Sequence, residues 1–308
     1  YRIVAPNTNG YFTSKEPSQA MMNSQSAGWK DSMNDYNVMV VTIARAAGEN
    51  RSYLPGKAGV DPSQDLNQTD PLGLSDDERD LIAAAVEAKK ANGGKVIVLL
   101  NNASAMEVQE LKDNDGIDAM LEIGLPGGYG FYGVADVLSG AANPSGHLAD
   151  TYVVTNANAP SAQNYGDLEW TNANAEISMN SELVEAENIY IGYKYYETRY
   201  ADTVLGQGNA SDPVGSSTGS AWNYDSEVTY PFGYGLSYTT FTQTLDDLTV
   251  DTNQNTITAK VTVTNTGSVA GKDVAQLYVS LPYTDYDKEH AVEKSAIQQR
   301  VPCRNRCR

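Results

Sequence analysis

The carboxylate with the most suggestive surroundings in this sequence is Glu49, in the stretch Arg45-Ala46-Ala47-Gly48-Glu49-Asn50-Arg51. A flexible glycine precedes it, arginines stand on either side, and it follows directly on an apolar run, Asn37 to Ala44. A carboxyl there can serve as a general acid, provided its surroundings raise its pKa. A loop Glu between two arginines can equally form a surface ion pair, and the pattern alone leaves both readings open. Arg45 and Arg51 are the accompanying candidates for substrate binding. Tyr193, in the tyrosine-rich segment Ile189 to Tyr196, is a third, because a flat amphipathic ring can pack on a ligand and still reach water. Interdomain packing is the alternative for these tyrosines.

Other residues carry less. Lys57, Asp61, Asp65 and Asp70 share the long connection with Glu49, but the carboxylates are too unevenly spaced for a metal loop. His147 and His290, the 2 histidines, are isolated, so no metal site is expected. Glycine-rich turns at 127 to 133 precede a helical pattern and could cradle a phosphate. No Gly-x-Gly-x-x-Gly follows an expected strand, which argues against nucleotide binding.

The elements that must position Glu49 follow from periodicity. Val38-Met39-Val40-Val41-Thr42-Ile43-Ala44 is continuously apolar and β-branched, which predicts a strand covered on both faces. Ser75 at an N-cap with Glu78 three residues on opens a helix carrying Leu81, Ile82, Ala85 and Val86; it should run to about Lys90 and end at Gly93-Gly94. Lys95 to Leu100 predicts a second buried strand, Ser104 to Leu111 a short helix, Ala119 to Ile123 a weaker strand and Gly130 to Leu138 a third helix. Strands alternating with helices imply a layered α/β sandwich with a mostly parallel sheet. Ligands bind such sheets beyond the carboxyl ends of the strands. The connection from Arg45 to Leu74 leaves at that end and is about thirty residues long, a length often functional.

From about Asp150 to Val228 the pattern fades into a polar, Asn/Ser/Gly-rich stretch. After Tyr230-Pro231-Phe232-Gly233-Tyr234-Gly235 the period becomes two, with Ile257, Ala259, Val261 and Val263 alternating with polar residues, and Val274 to Ser280 predicts another strand. This opens an antiparallel β-sandwich, which needs about seven strands over about 100 residues; fewer than eighty follow the Pro-Phe-Gly segment. The expected domains are residues 1–229, an α/β sandwich, and 230–298, a partial β-sandwich. The tail 299–308 turns abruptly to arginine and cysteine, which suggests a frameshift or an artificial end, with a genuine basic tail as the alternative.

Composition excludes some classes. With 39 acidic against 21 basic residues the net charge is −18, a field that repels phosphate backbones, so nucleic acid is not an expected partner. No run approaches the roughly eighteen apolar residues of a membrane span. The 2 cysteines, Cys303 and Cys307, lie in the tail, so no disulfide framework supports the fold. Tyr1 to Pro6 reads like the interior of a protein, so the N-terminus is expected to be truncated. Localisation is open between bacterial cytoplasm and cell surface.

Five segments in order, over about residues 37 to 282, resemble the later domains of family 3 glycoside hydrolases. Val41 to Glu49 is similar to that family's strand and Gly-Glu loop. Leu125-Pro126-Gly127-Gly128, Ala135-Asp136-Val137-Leu138-Ser139-Gly140 and Asn143-Pro144-Ser145-Gly146 resemble its Pro-Gly turn, Ala-Asp-Val-Leu helix and Asn-Pro-Ser-Gly turn. Glu187 to Glu197 is similar to its Glu-x-Ile-Tyr-x-Gly-Tyr-Arg-Tyr segment, Tyr230 to Phe241 to its Pro-Phe-Gly-Tyr-Gly-Leu-Ser-Tyr-Thr-x-Phe signature, and Val261 to Val279 to its fibronectin type III-like domain.

The resemblance implies retaining, exo-acting, β-glucosidase-like chemistry on an oligosaccharide or glycoside, with no cofactor. It assigns the nucleophile to an Asp on a (β/α)8 barrel that is not in this sequence, and places Glu49 where many members carry the general acid/base. Asn50 and Arg51 depart from the common Gly-x-Asp continuation, Gly128-Tyr129 from Gln-Glu, His147 from Arg or Lys, and Ala149 from Pro. They leave the sugar open, as the oligomeric state is. A carbohydrate-binding or surface module without catalysis, and an inactive truncated product, are the alternatives.

Overall fold

A computed structural model of the chain describes residues 3–6, 12–15, 18–45, 70–164, 185–280, 282–290 and 296–299. It begins with an antiparallel pair, β1 (Ile3–Pro6) and β2 (Phe12–Lys15), which the sequence pattern did not single out. Ser18 then caps α1 (Gln19–Gln25) by accepting from the Met21 N–H, and α2 (Trp29–Ser32) leads through a 3-10 turn at Met33–Asp35 to the sheet.

The expected parallel sheet is present. β3 (Val38–Ala44), β4 (Lys95–Asn101) and β5 (Ala119–Glu122) lie side by side in that order, with Val38 opposite Lys95 and Ile97 opposite Ala119. Between β3 and β4 runs α3 (Asp76–Asn92), which opens with the expected capping box of Ser75 and Glu78 and ends at left-handed Gly93. Its Ile82, Ala85 and Val86 pack on Met39, Val41, Ile43, Val96, Val98 and Leu100, forming the main core.

Two expectations need correction here. β3 is not covered on both faces: Met39, Val41 and Ile43 are buried under α3, whereas Val38 and Val40 on the other face are 48% and 45% exposed. The helix expected at Ser104 to Leu111 shrinks to α4 (Gln109–Lys112), because the Asn102 carboxamide oxygen accepts from the Ser104 N–H at 3.0 Å and holds a turn there. The next helix, α5 (Gly127–Ser139), starts one turn early behind Pro126; Tyr129, Phe131, Tyr132 and Leu138 on it face solvent.

The described residues of the polar stretch gather around two charges. β6 (Tyr152–Val153) is followed by a 3-10 turn at Asn156–Asn158, α6 (Pro160–Asn164) and, further on, α7 (Tyr193–Leu205). Arg199 of α7 donates to the carbonyls of Ala210 at 2.8 Å, Asp212 at 2.6 Å and Val214 at 2.8 Å, and its guanidinium lies over the buried Trp222 ring. Glu227, in α8 (Tyr224–Glu227), is buried and accepts from the backbone and hydroxyl of Ser217. A polar loop thus satisfies its own backbone around an arginine instead of dissolving into solvent.

β7 (Val228–Tyr230) pairs antiparallel with β6. Beyond it Leu148 donates to the Tyr234 carbonyl and Gly233 to the Leu148 carbonyl, both at 2.8 Å, so the Asn-Pro-Ser-Gly turn docks on the Pro-Phe-Gly-Tyr-Gly segment. Asn143 seals the contact, accepting from Tyr238 N–H at 2.7 Å and donating to the Ala270 carbonyl at 3.0 Å. The remaining elements are antiparallel, as expected: β8 (Phe241–Asp251) pairs with β9 (Thr256–Asn265), and β10 (Leu277–Ser280) with β11 (Ala296–Gln299) after the short helix α9 (Asp285–Glu289).

Candidate active site

The carboxyl ends of β3, β4 and β5 present Arg45, Asn101 with Asn102, and Glu122. Arg45 continues the ladder, its N–H reaching the Asn101 carbonyl at 3.3 Å. Its guanidinium is 1% exposed and bonds Glu78 of α3 in fork fashion, Nη1 to Oε1 at 2.6 Å and Nη2 to Oε2 at 3.0 Å. The other donors go to the Pro71 carbonyl at 2.7 Å, the Ala44 carbonyl at 2.9 Å and the Gly73 carbonyl at 2.6 Å. All five N–H groups are therefore spent within the chain.

That overturns the expectation of Arg45 as a substrate contact, since no donor is left for a sugar. Its work is to bind the departing end of the long connection to the returning end at Pro71 to Gly73. Glu78 serves two masters: Oε2 also accepts from the Ser75 N–H at 2.8 Å, so the capping carboxylate is the arginine's counter-ion as well. Glu49, Arg51, Lys57, Asp61 and Asp65 lie outside the described residues.

Two carboxyls that the sequence reading passed over flank this edge. Glu122, the last residue of β5, accepts from Gly124 N–H at 2.7 Å and from the Tyr152 hydroxyl at 3.0 Å, while burial raises its pKa. Burial, with the Glu122 charge, also raises the Tyr152 phenol, so the hydroxyl stays a donor. Glu107, in the turn after β4, accepts from the Asn156 N–H at 2.6 Å, and burial pushes it up to about 7. The signal available for Glu122 was its place at the end of a parallel strand just before Gly124.

Tyr193 opens α7 behind Gly192, whose φ of 54° favours glycine. Its ring packs on Phe232, centroids 4.6 Å apart, and meets the Tyr278 ring edge-on at 6.4 Å. The segment thus includes packing between α7, the Pro-Phe-Gly turn and β10. His147 Nε2 stands 3.8 Å from Asp273, and His290 bonds the Tyr286 carbonyl, so each has a local partner.

The family model described as "Glycosyl hydrolase family 3 C-terminal domain" matches residues 13–238. The chain belongs to glycoside hydrolase family 3. Among relatives, beta-glucosidase A of Butyrivibrio fibrisolvens is 29% identical over 265 residues, 79% of this chain and 28% of that protein. Thermostable beta-glucosidase B of Acetivibrio thermocellus is 30% identical over 213 residues, 68% of this chain and 22% of its own length. The chain thus spans under a third of the length of these relatives. Beta-glucosidase 3B from Thermotoga neapolitana, solved in complex with glucose, superposes with a TM-score of 0.60 at 30% identity, over 88% of this chain and 31% of that one.

Proposed function

We propose that this chain carries the acid/base half of a retaining, β-glucosidase-like O-glycosyl hydrolase, with Glu49 as the acid/base. The observation that carries the reading is the anchoring of Arg45. Because its five donors fix the exit from β3, the Gly48-Glu49 segment departs from a defined point at the edge where open α/β sheets bind ligands. Four residues of chain reach at most about 14 Å from that point. Membership of family 3 and the β-glucosidase names of its relatives support the reaction class.

In the first step Glu49 gives its proton to the glycosidic oxygen as the bond to the anomeric carbon breaks, and an Asp on a (β/α)8 barrel attacks that carbon to form a glycosyl-enzyme. In the second the Glu49 carboxylate takes a proton from water, whose oxygen bonds to the anomeric carbon and releases the Asp. The two carboxyls must stand about 5 Å apart, so the connection has to reach across to the barrel. Two carboxylates perform both steps without a cofactor. Arg51, two residues after Glu49 in sequence, and half-buried Tyr193 are the proposed substrate contacts.

The test is turnover of an aryl β-glucoside by the 308-residue chain alone and by the chain joined to the barrel. The first should be inactive and the second active. Activity of the chain alone would contradict this division of roles, and a folded but inactive combined protein would remove the glycosidase reading.

A further inference from the structure

The turn that carries His147 is where the parallel-sheet part of the chain meets its antiparallel strands. Neutral hydrogen bonds fix that meeting. The Lys272 N–H donates to Ser145 Oγ at 3.2 Å, Asn143 Nδ2 to the Ala270 carbonyl at 3.0 Å, the Leu148 N–H to the Tyr234 carbonyl and the Gly233 N–H to the Leu148 carbonyl, both at 2.8 Å. The His147 ring is held within this contact, packed so close to Gly235 that a Cβ added there would stand 3.2 Å from Cδ2.

Across the contact from this ring stands Asp273. Nε2 of His147 is 3.8 Å from its Oδ1, and the two side chains are only 22% and 18% exposed. The Asp273 carboxylate accepts from the Val274 N–H at 2.9 Å and from Gln243 Nε2 at 2.7 Å, both uncharged donors. Among the described residues no lysine or arginine stands within salt-bridge reach of it, so His147 is its one neighbour able to carry positive charge. A separation of 3.8 Å is too long for a hydrogen bond, so what joins the two is charge, and the imidazole has charge only when protonated.

The other titratable groups on the surrounding segments have their own places. Lys272, beside Asp273, is exposed, and Asp150, three residues beyond His147, accepts from the Thr151 N–H at 2.8 Å. From the segment 233–238, Tyr234 packs on the Tyr230 ring and Tyr238 gives its hydroxyl to the Val137 carbonyl at 2.8 Å.

We propose that His147 and Asp273 form a proton-dependent latch between the parallel-sheet part and the antiparallel strands, drawn together while the imidazole is protonated and released when it is neutral. The neutral hydrogen bonds persist at either pH, so the latch adjusts the docking and does not create it. Its contribution is present on the acid side of the histidine range and is lost as the pH rises through that range. A partly exposed pair of this kind changes an equilibrium constant about two- to fivefold.

The test is a double-mutant cycle on the 308-residue chain, with His147→Gln, Asp273→Asn and both together, unfolded in urea at about pH 5.5 and about pH 8.5. At the lower pH the double variant should lose about two- to fivefold less in its folding constant than the product of the two single losses, and at the higher pH the losses should be independent. His147→Lys, whose charge persists, should remain coupled to Asp273 at both. Hydrogen exchange in the parent chain gives a reading that needs no variant: protection of the Leu148 and Gly233 amides should fall about two- to fivefold from the lower to the higher pH, relative to the Val98 amide in β4. Coupling that is absent at the lower pH or equal at both would overturn the proposal, as would unchanged relative protection of the two amides. The readouts are folding and docking, so they are independent of the role of Glu49.

Discussion

Arg45 and Glu78, 33 residues apart in sequence, form a buried two-point ion pair that joins the end of β3 to the first turn of α3. Breaking such a pair strands an unpartnered charge, so Arg45→Met or Glu78→Gln should each cost about 3–5 kcal/mol in urea unfolding. The double variant should be less destabilised than the two single costs summed, because the second change removes the stranded partner. Additive losses would show that the two side chains act independently.

At the amino end of the same sheet, Asp118 accepts from the Val96 N–H at 2.8 Å and pairs with Lys89 at 2.9 Å and Lys95 at 3.0 Å. The Val96 bond first, and the two lysines after it, hold its carboxyl well below the usual carboxylate range. A depressed carboxyl contributes stability above its unfolded value of about 3.9, which is lost as the pH falls through the folded value. Asp118→Asn should therefore melt lower than the parent at neutral pH, and the gap should close as the solution is acidified below about pH 3.9. A gap that persists in strong acid would contradict this.

Gly235 lies against the Gly146 carbonyl, where the Asn-Pro-Ser-Gly turn meets the Pro-Phe-Gly-Tyr-Gly segment. An added Cβ would fall on that backbone oxygen, which has no flexible side chain to move aside. Gly235→Ala should destabilise by about 1–3 kcal/mol, the ordinary cost of overpacking, whereas Gly128→Ala in α5 meets nothing and should be neutral or mildly stabilising. Thermal melting of the two variants separates these outcomes.

The parts of this fold written in local pattern were legible. Ser75 with Glu78 and Gly93 gave both ends of α3, and the β-branched runs gave β3 and β4. What pattern concealed were pairings distant in sequence: Glu78 already had a local role as a capping residue, and Arg45 looked like a loop cation beside Glu49, so nothing joined them. Tyr152 and Glu122 are hidden in the same way, 30 residues apart. Asn102 shows local chemistry overriding periodicity, its side chain closing a turn where apolar spacing asked for a helix. Among the described residues of the polar stretch, Arg199 and Glu227 gather the loop from Ala210 to Ser217, through partners that are mostly backbone groups and that composition does not encode.

The most direct test of the acid/base assignment is Glu49→Gln in the protein that joins this chain to its nucleophile barrel, assayed on aryl β-glucosides with good and poor leaving groups. Loss of the acid should slow glycosylation by poor leaving groups by about 10²–10⁴, while a nitrophenolate, which departs without protonation, should still form the glycosyl-enzyme and leave turnover limited by its hydrolysis. Equal slowing of glycosylation for all leaving groups, or no slowing, would contradict the assignment of Glu49.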